Sequence, residues 1–233
     1  MTSSDFIRQL EDVLRPYGQG SAKFGYHKYE NKDQIVIEES ANKDKINTTQ
    51  QIILNKDFEG IVGCLCLQAG NKTHPNYVKE GEKLSIRKIP EAVIFIPTDE
   101  RSITVVIVEL KSYNSERDDV LTKFRGGLAI AEYVRLLTAN LVRNSNWYSL
   151  NFRFIGVEFK RPKPAPPTTE LVDDPLSESK HTDFVENAEN NLVTDEVHPA
   201  LRTYANPFPS VEAKDGAVKE YPLTQLLAGV VKQ

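Results

Sequence analysis

Cysteine and histidine are scarce in this chain, with two and four residues among 233. Cys64 and Cys66 stand one residue apart inside an apolar run. Side chains at i and i+2 of a strand share a face, but sit too far apart for an unstrained bridge. Without clustered histidines, two cysteines also cannot complete a zinc or iron–sulfur site. The expectation is two buried thiols in a reducing cytosol. His27, His74, His181 and His198 lack metal-ligand spacing and are expected at the surface. Long apolar runs are missing too: none approaches the ~20 residues that span a bilayer. The first residues, Met-Thr-Ser-Ser-Asp-Phe-Ile-Arg, lack the basic-then-apolar order of a signal peptide. A cytoplasmic protein with no membrane partner is expected. There is no Gly-x-Ser-x-Gly, phosphate loop, dinucleotide fingerprint or internal repeat.

Charge is unevenly distributed. The net charge is −4, but residues 1–160 hold 22 basic against 21 acidic groups, and residues 161–233 hold 7 against 12. The acidity therefore belongs to the C-terminal part, and a near-neutral body permits phosphate binding without implying it. Nine of the 13 prolines also lie in 161–233. Arg161 to Pro167 reads as a stiff extended linker. Thr168 to Glu196, acidic and short of aromatics, reads as disordered. At the end, Leu223, Leu226, Leu227, Val230 and Val231 fall at the spacing of a short amphipathic helix. That helix either packs back on the body or docks a partner, a second copy included. The expected organisation is a domain over 1–160 and an extended acidic tail over 161–233.

Phe6, Ile7, Leu10, Val13 and Leu14 form a helical stripe after a cap at Ser3 or Ser4. Residues 17–50 are hard to assign, apart from a short strand at 34–38. Gln51–Asn55 fits a strand or a helical turn, and Gly60–Leu67 a strand. Ser115-Glu-Arg-Asp118 has capping-box spacing and opens a long helix to about Arg143. Gly126 and Gly127 interrupt that helix at a cost of about 2 kcal/mol relative to alanine, which points to a close backbone approach. Asn151–Phe159 is a further strand.

Between them lie two β-rich runs, 90–97 and 103–111, separated by Thr-Asp-Glu-Arg-Ser. With those five residues as the loop, Pro97 pairs with Ile103 and Glu91 falls opposite Glu109. Directly opposed residues share a face, and Lys111, two residues on, points the same way. Val93, Phe95, Val105 and Ile107 share one apolar face, and Ala92, Ile94, Ile96, Val106 and Val108 the other. A pair apolar on both faces belongs mid-sheet, with the two helices as covers on either side. Two opposed carboxylates suit a hard divalent ion completed by the Leu110 carbonyl and water. The alternative is that Glu91, Glu109 and Lys111 mark strand ends leaving the core for solvent.

Pro90-Glu91 followed by Glu109-Leu110-Lys111 resembles the active-site signature of the PD-(D/E)xK nuclease superfamily. The helix, three-strand meander, helix, strand order over roughly 1–160 is similar to its core. The resemblance implies an α/β, restriction-endonuclease-like fold with a central mixed sheet flanked by helices. It implies that Glu91 and Glu109, with the Leu110 carbonyl, bind Mg²⁺ or Mn²⁺ while Lys111 assists phosphodiester hydrolysis. Glu91 stands where the family most often has Asp. Glu11 matches the family's upstream acid, with Glu38 and Glu39 as rivals. Lys123 and Arg125 match its polar residues on the following helix, and Lys88 is a further phosphate-binding candidate. Lys83, Arg87, Lys160, Arg161 and Lys163 fit phosphate contacts or solvated strand ends equally well. Tyr26, Tyr29 and Tyr113 fit base stacking or packing. The expected function is a DNA rather than RNA endonuclease, in defence, restriction or repair. The alternatives are a degenerate member that binds nucleic acid or protein without cleaving, and an α/β interaction protein.

Overall fold

The computed structural model describes residues 2–17, 25–31, 33–38, 50–67, 89–111, 117–141, 149–160, 192–196, 198–204, 208–209, 211–212 and 218–231. Helix α1 spans Ser3–Val13. Its cap is Thr2, one residue ahead of the expected serines, in a reciprocal capping box with Asp5. Phe6, Ile7 and Leu10 are buried on its inner face. Strands β1 (Gly25–Tyr29), β2 (Gln34–Glu38), β3 (Gln50–Asn55) and β4 (Val62–Cys66) follow. Next come β5 (Ala92–Asp99), β6 (Ser102–Lys111), α2 (Arg117–Leu141) and β7 (Asn151–Lys160). The chain continues with β8 (Leu192–Thr194), β9 (Leu201–Tyr204), β10 (Phe208–Pro209), β11 (Val211–Glu212), β12 (Lys219–Pro222) and α3 (Leu223–Val231).

The main sheet is mixed and runs β1-β4-β5-β6-β7-β9-β8, with β10 also on β7. β4, β5 and β6 are successive antiparallel neighbours, and β7 lies parallel to β6 after the α2 crossover. A second sheet is centred on β3, with β2, β11 and β12 as partners. The hairpin register is the expected one from Ala92↔Val108 to Pro97↔Ile103. Its tip differs. A register shift between Pro97 and Asp99 brings Asp99 opposite Ser102, leaving Glu100 and Arg101 as a two-residue turn. The N-terminus of α1 ties this tip down, Ser3 N–H donating to Glu100 O at 2.8 Å.

The alternation of β5 and β6 separates two cores. Val93, Phe95, Val105 and Ile107 pack with α1 and α2. Ala92, Ile94, Ile96, Val106 and Val108 pack with Ile35, Ile37, Ile52 and Leu54 of the second sheet and with α3. Both long helices therefore cover one face, and the expectation of one helix on each face is corrected: the other cover is the small sheet plus α3. The physical reason lies in the C-terminal segment, which supplies the missing apolar surface. Tyr204, Phe208, Tyr221, Leu223, Leu226 and Leu227 are all buried there, while Leu201 joins the helix-side core. Residues 192–231, expected as part of a separate tail, instead add strands to both sheets, while 161–191 fall outside the described residues. The buried α3 leucines bear out the first of the two expectations for this helix, that it packs back on the body. No described helix is long and apolar enough to cross a membrane.

Candidate functional site

The charged ends of the hairpin meet beneath α2. Glu109 and Lys111 close β6 on the helix-covered face, in step with Val105 and Ile107. Glu91 immediately precedes β5, its N–H donating to Val108 O at 3.0 Å. Its own carbonyl accepts the Leu67 N–H at 2.8 Å, so the backbone of Glu91 is fixed on both sides. Glu91 Oε2 accepts the Leu110 N–H at 3.1 Å, past the end of the β5–β6 ladder. The Leu110 carbonyl projects from that same strand edge, as the amide and carbonyl of one strand residue do. Glu109 is fully buried and Glu91 is 7% exposed, so the carboxylates do not leave the core for solvent.

Helix α2 supplies the rest. Lys123 Nζ lies 2.5 Å from Glu109 Oε1 and 3.6 Å from Glu91 Oε1. Lys111 Nζ lies 3.2 Å from Glu109 Oε1 and 2.5 Å from Asp119 Oδ2. Charges thus alternate along one chain of contacts: Asp119, Lys111, Glu109, Lys123, Glu91. Gly127 sets the height of the helix. A Cβ there would collide with Ile107 and the Pro90 ring, so the glycine lets α2 settle onto β6. This is the close approach expected at the Gly126–Gly127 interruption. Gly156 of β7 similarly admits the Phe124 ring.

The electrostatics follow from burial. Loss of water, then the neighbouring Glu91 carboxylate, push Glu109 well above the ordinary carboxylate range, against the pull of Lys123 and Lys111. Burial works against the Lys111 charge, but the Glu109 and Asp119 carboxylates outweigh it and hold the pKa above the usual lysine value. The two ammonium groups near Glu109 Oε1 stand at ion-pair distance without hydrogen-bond alignment. Glu109 Oε2 has no hydrogen-bond partner among the described residues.

That orphaned oxygen, the Glu91 carboxylate and the Leu110 carbonyl form a hard donor set suited to a small divalent cation. Among the described residues no group of three His, Cys, Asp or Glu side chains is placed to hold a metal. Such an ion would therefore depend on two carboxylates, the backbone carbonyl and water. The ammonium of Lys123 stands between the two carboxylates.

The remaining candidates scatter. Glu11 bonds Lys28 of β1 at 2.6 Å, and β1 lies three places from β6 in the sheet. It is not part of the cluster, because its carboxylate is held at β1 by Lys28. Glu38 accepts from Gln51 in the second sheet, on the opposite side. Arg125 grips the buried Asp195 carboxylate at 3.0 and 3.2 Å, anchoring the C-terminal segment to α2. Its expected role toward phosphate gives way to that anchor. Tyr26 is buried and donates to Ile7 O at 2.8 Å, so it packs and does not stack on bases. Tyr29 packs edge-on against His27. Cys64 and Cys66 are free thiols with sulfurs 3.8 Å apart. Glu39, Lys83, Arg87, Lys88, Tyr113, Arg161 and Lys163 lie outside the described residues.

Asp119 and Glu158 escape the sequence reading, whereas Lys160 is among its candidate phosphate contacts. Asp119 sits one turn before Lys123, and both flank the buried Val120 and Phe124, so the helix spacing could have marked them. Glu158 and Lys160 of β7 pair in register with Glu109 and Lys111 and so share their face. The signal is a local likeness between two strand ends, Val108-Glu-Leu-Lys111 and Val157-Glu-Phe-Lys160. Comparison of the chain with protein-family models, curated proteins and solved structures finds no match.

Proposed function

We propose that the chain is a metal-dependent nuclease of the restriction-endonuclease-like type, hydrolysing phosphodiester bonds in DNA, in defence, restriction or repair. One observation carries the reading: Glu91, Glu109 and Lys111 converge on one face at the end of β5 and β6, with Glu109 wholly buried. A helix, three antiparallel strands, a crossover helix and a parallel strand in sequence order support it. The two free thiols fit a cytoplasmic setting.

In this reading Glu91, Glu109 and the Leu110 carbonyl hold Mg²⁺ or Mn²⁺. The ion supplies Lewis-acid polarisation of a phosphoryl oxygen and an acidified water. Glu91 keeps one oxygen on the Leu110 amide, which fixes the angle at which its other oxygen faces the site. Lys111 acts as a fixed positive charge, since Asp119 and Glu109 make its proton hard to remove. It offsets negative charge growing on the phosphate in the transition state. Lys160, its register partner on β7, presents a second amine on the same face. The test is Mn²⁺-dependent cleavage of DNA by the full chain. Equal background from the wild type and Lys111→Ala would defeat the enzyme reading.

The alternative, a nuclease-like fold that binds nucleic acid or protein without cleaving, is favoured by one observation. The Lys123 ammonium already stands against Glu109 Oε1, at 2.5 Å. Salt-sensitive DNA binding without cleavage in any divalent ion would select it.

A further inference from the structure

We infer that Lys123 is a built-in counter-ion that closes the cation site, and that a divalent ion enters only as the Lys123 ammonium swings out. The inference rests on the metal-site reading of Glu91 and Glu109 and adds its regulation. Among the described residues, Lys123 Nζ is the one ammonium at ion-pair distance from both carboxylates, 2.5 Å from Glu109 and 3.6 Å from Glu91. A divalent ion bound to the same two oxygens would stand within contact distance of that ammonium. Two cations so close in a buried site repel strongly, so their occupancies exclude one another.

The geometry also provides somewhere for Lys123 to go. Its side chain is 18% exposed and hangs from α2 by a flexible four-carbon stem, whereas Glu109 is wholly buried on a central strand. Asp119 lies four residues earlier on the same helix, 31% exposed, in the favourable acid-before-base order. Asp119 now holds Lys111. With Glu109 committed to a divalent ion, Asp119 is the carboxylate that can receive Lys123 as well. The change is one of Lys123 side-chain torsions, with α2 kept seated on Ile107 by Gly127. In the closed arrangement the Lys123 ammonium lies against both carboxylates and offsets part of their charge. In the open one, Lys123 is displaced to the rim of the site.

The test is calorimetric titration of the full chain with Mn²⁺, comparing the wild type, Lys123→Met and Glu109→Gln. Methionine keeps the stem and removes the charge. Lys123→Met is expected to bind Mn²⁺ about tenfold more tightly than the wild type, the scale of an ordinary coupling between two sites. Glu109→Gln is expected to lose binding. A second readout uses the unaltered protein: amine acetylation of Lys123, followed by mass spectrometry, should speed up severalfold when Mn²⁺ is added. Equal or weaker binding by Lys123→Met, or acetylation indifferent to Mn²⁺, overturns the counter-ion role and leaves the metal site standing. No Mn²⁺ binding by either the wild type or Lys123→Met removes the metal-site reading, and this inference with it.

Discussion

The two faces of β5 and β6 are equally buried but differently built. On the face toward the second sheet, Ala92, Ile94, Ile96, Val106, Val108 and Leu110 are sealed by apolar side chains, with Thr104 as the buried polar residue of that stretch of β6. On the face toward the helices, the same strands pass from Phe95 and Val105 to Glu91, Glu109 and Lys111. An apolar layer needs only surface to cover it, and here that surface comes from parts of the chain far apart in sequence. A charged layer needs specific partners, because an unpaired buried charge costs several kcal/mol. The second face therefore depends on where α2 places Lys123 and Asp119, and the first depends on α3 being present at all.

Removing α3 should have the largest effect. Leu223, Leu226 and Leu227 are buried against the first face. At about 2 kcal/mol each, their loss approaches the whole stability of a domain. A chain ending at Pro222 is expected to lose its cooperative thermal transition by calorimetry. Retention of a sharp transition would show that the second sheet alone can seal that face. Next, Lys111→Ala should lower Mn²⁺-dependent cleavage by about 100-fold or more, with the melting curve changed far less. A comparable loss of fold and activity would make the charged face structural.

Gly127→Val is aimed at the boundary between the two kinds of packing. Its side chain meets Ile107 and Pro90, so a cost of about 1–3 kcal/mol is expected in chemical denaturation. Activity should fall further than stability accounts for, because Lys123 and Asp119 move with the helix. The smallest effect is pH-dependent. Glu109 binds its proton more tightly in the folded protein than at the ordinary value of 4.5. Its contribution is therefore most favourable in acid and is lost progressively as pH rises through that value toward the folded pKa. In chelator, Glu109→Gln should melt like the wild type near pH 4 and hotter by about pH 7. Parallel melting curves across that range would mean that Lys123 and Lys111 fully compensate the buried charge.

Much of the charged face was legible because it is local. Ala92 to Pro97 and Ile103 to Val108 alternate in a hairpin, so counting from a short turn fixes which residues oppose one another. The tip was misjudged by the register shift at Pro97–Asp99, yet the pairing sum survived because the shift lies on the turn side of Pro97. Arg125 was chemically reasonable but misplaced, since its partner Asp195 is 70 residues away. The apolar face was the least legible. Tyr204 and Phe208 sit in a segment whose prolines and acids suggest an extended tail, and their burial depends on pairing of that segment with β7.

The sequence by itself determined the hairpin, its two apolar faces, and the shared face of Glu109 and Lys111. These follow from the period of two along a strand and a short connection. Only the tertiary structure decided that both helices lie on one face, that the C-terminal segment closes the other, and that Lys123 stands between the carboxylates. Those outcomes depend on crossovers and long-range packing, where many arrangements satisfy the local pattern and the burial of the whole chain selects one.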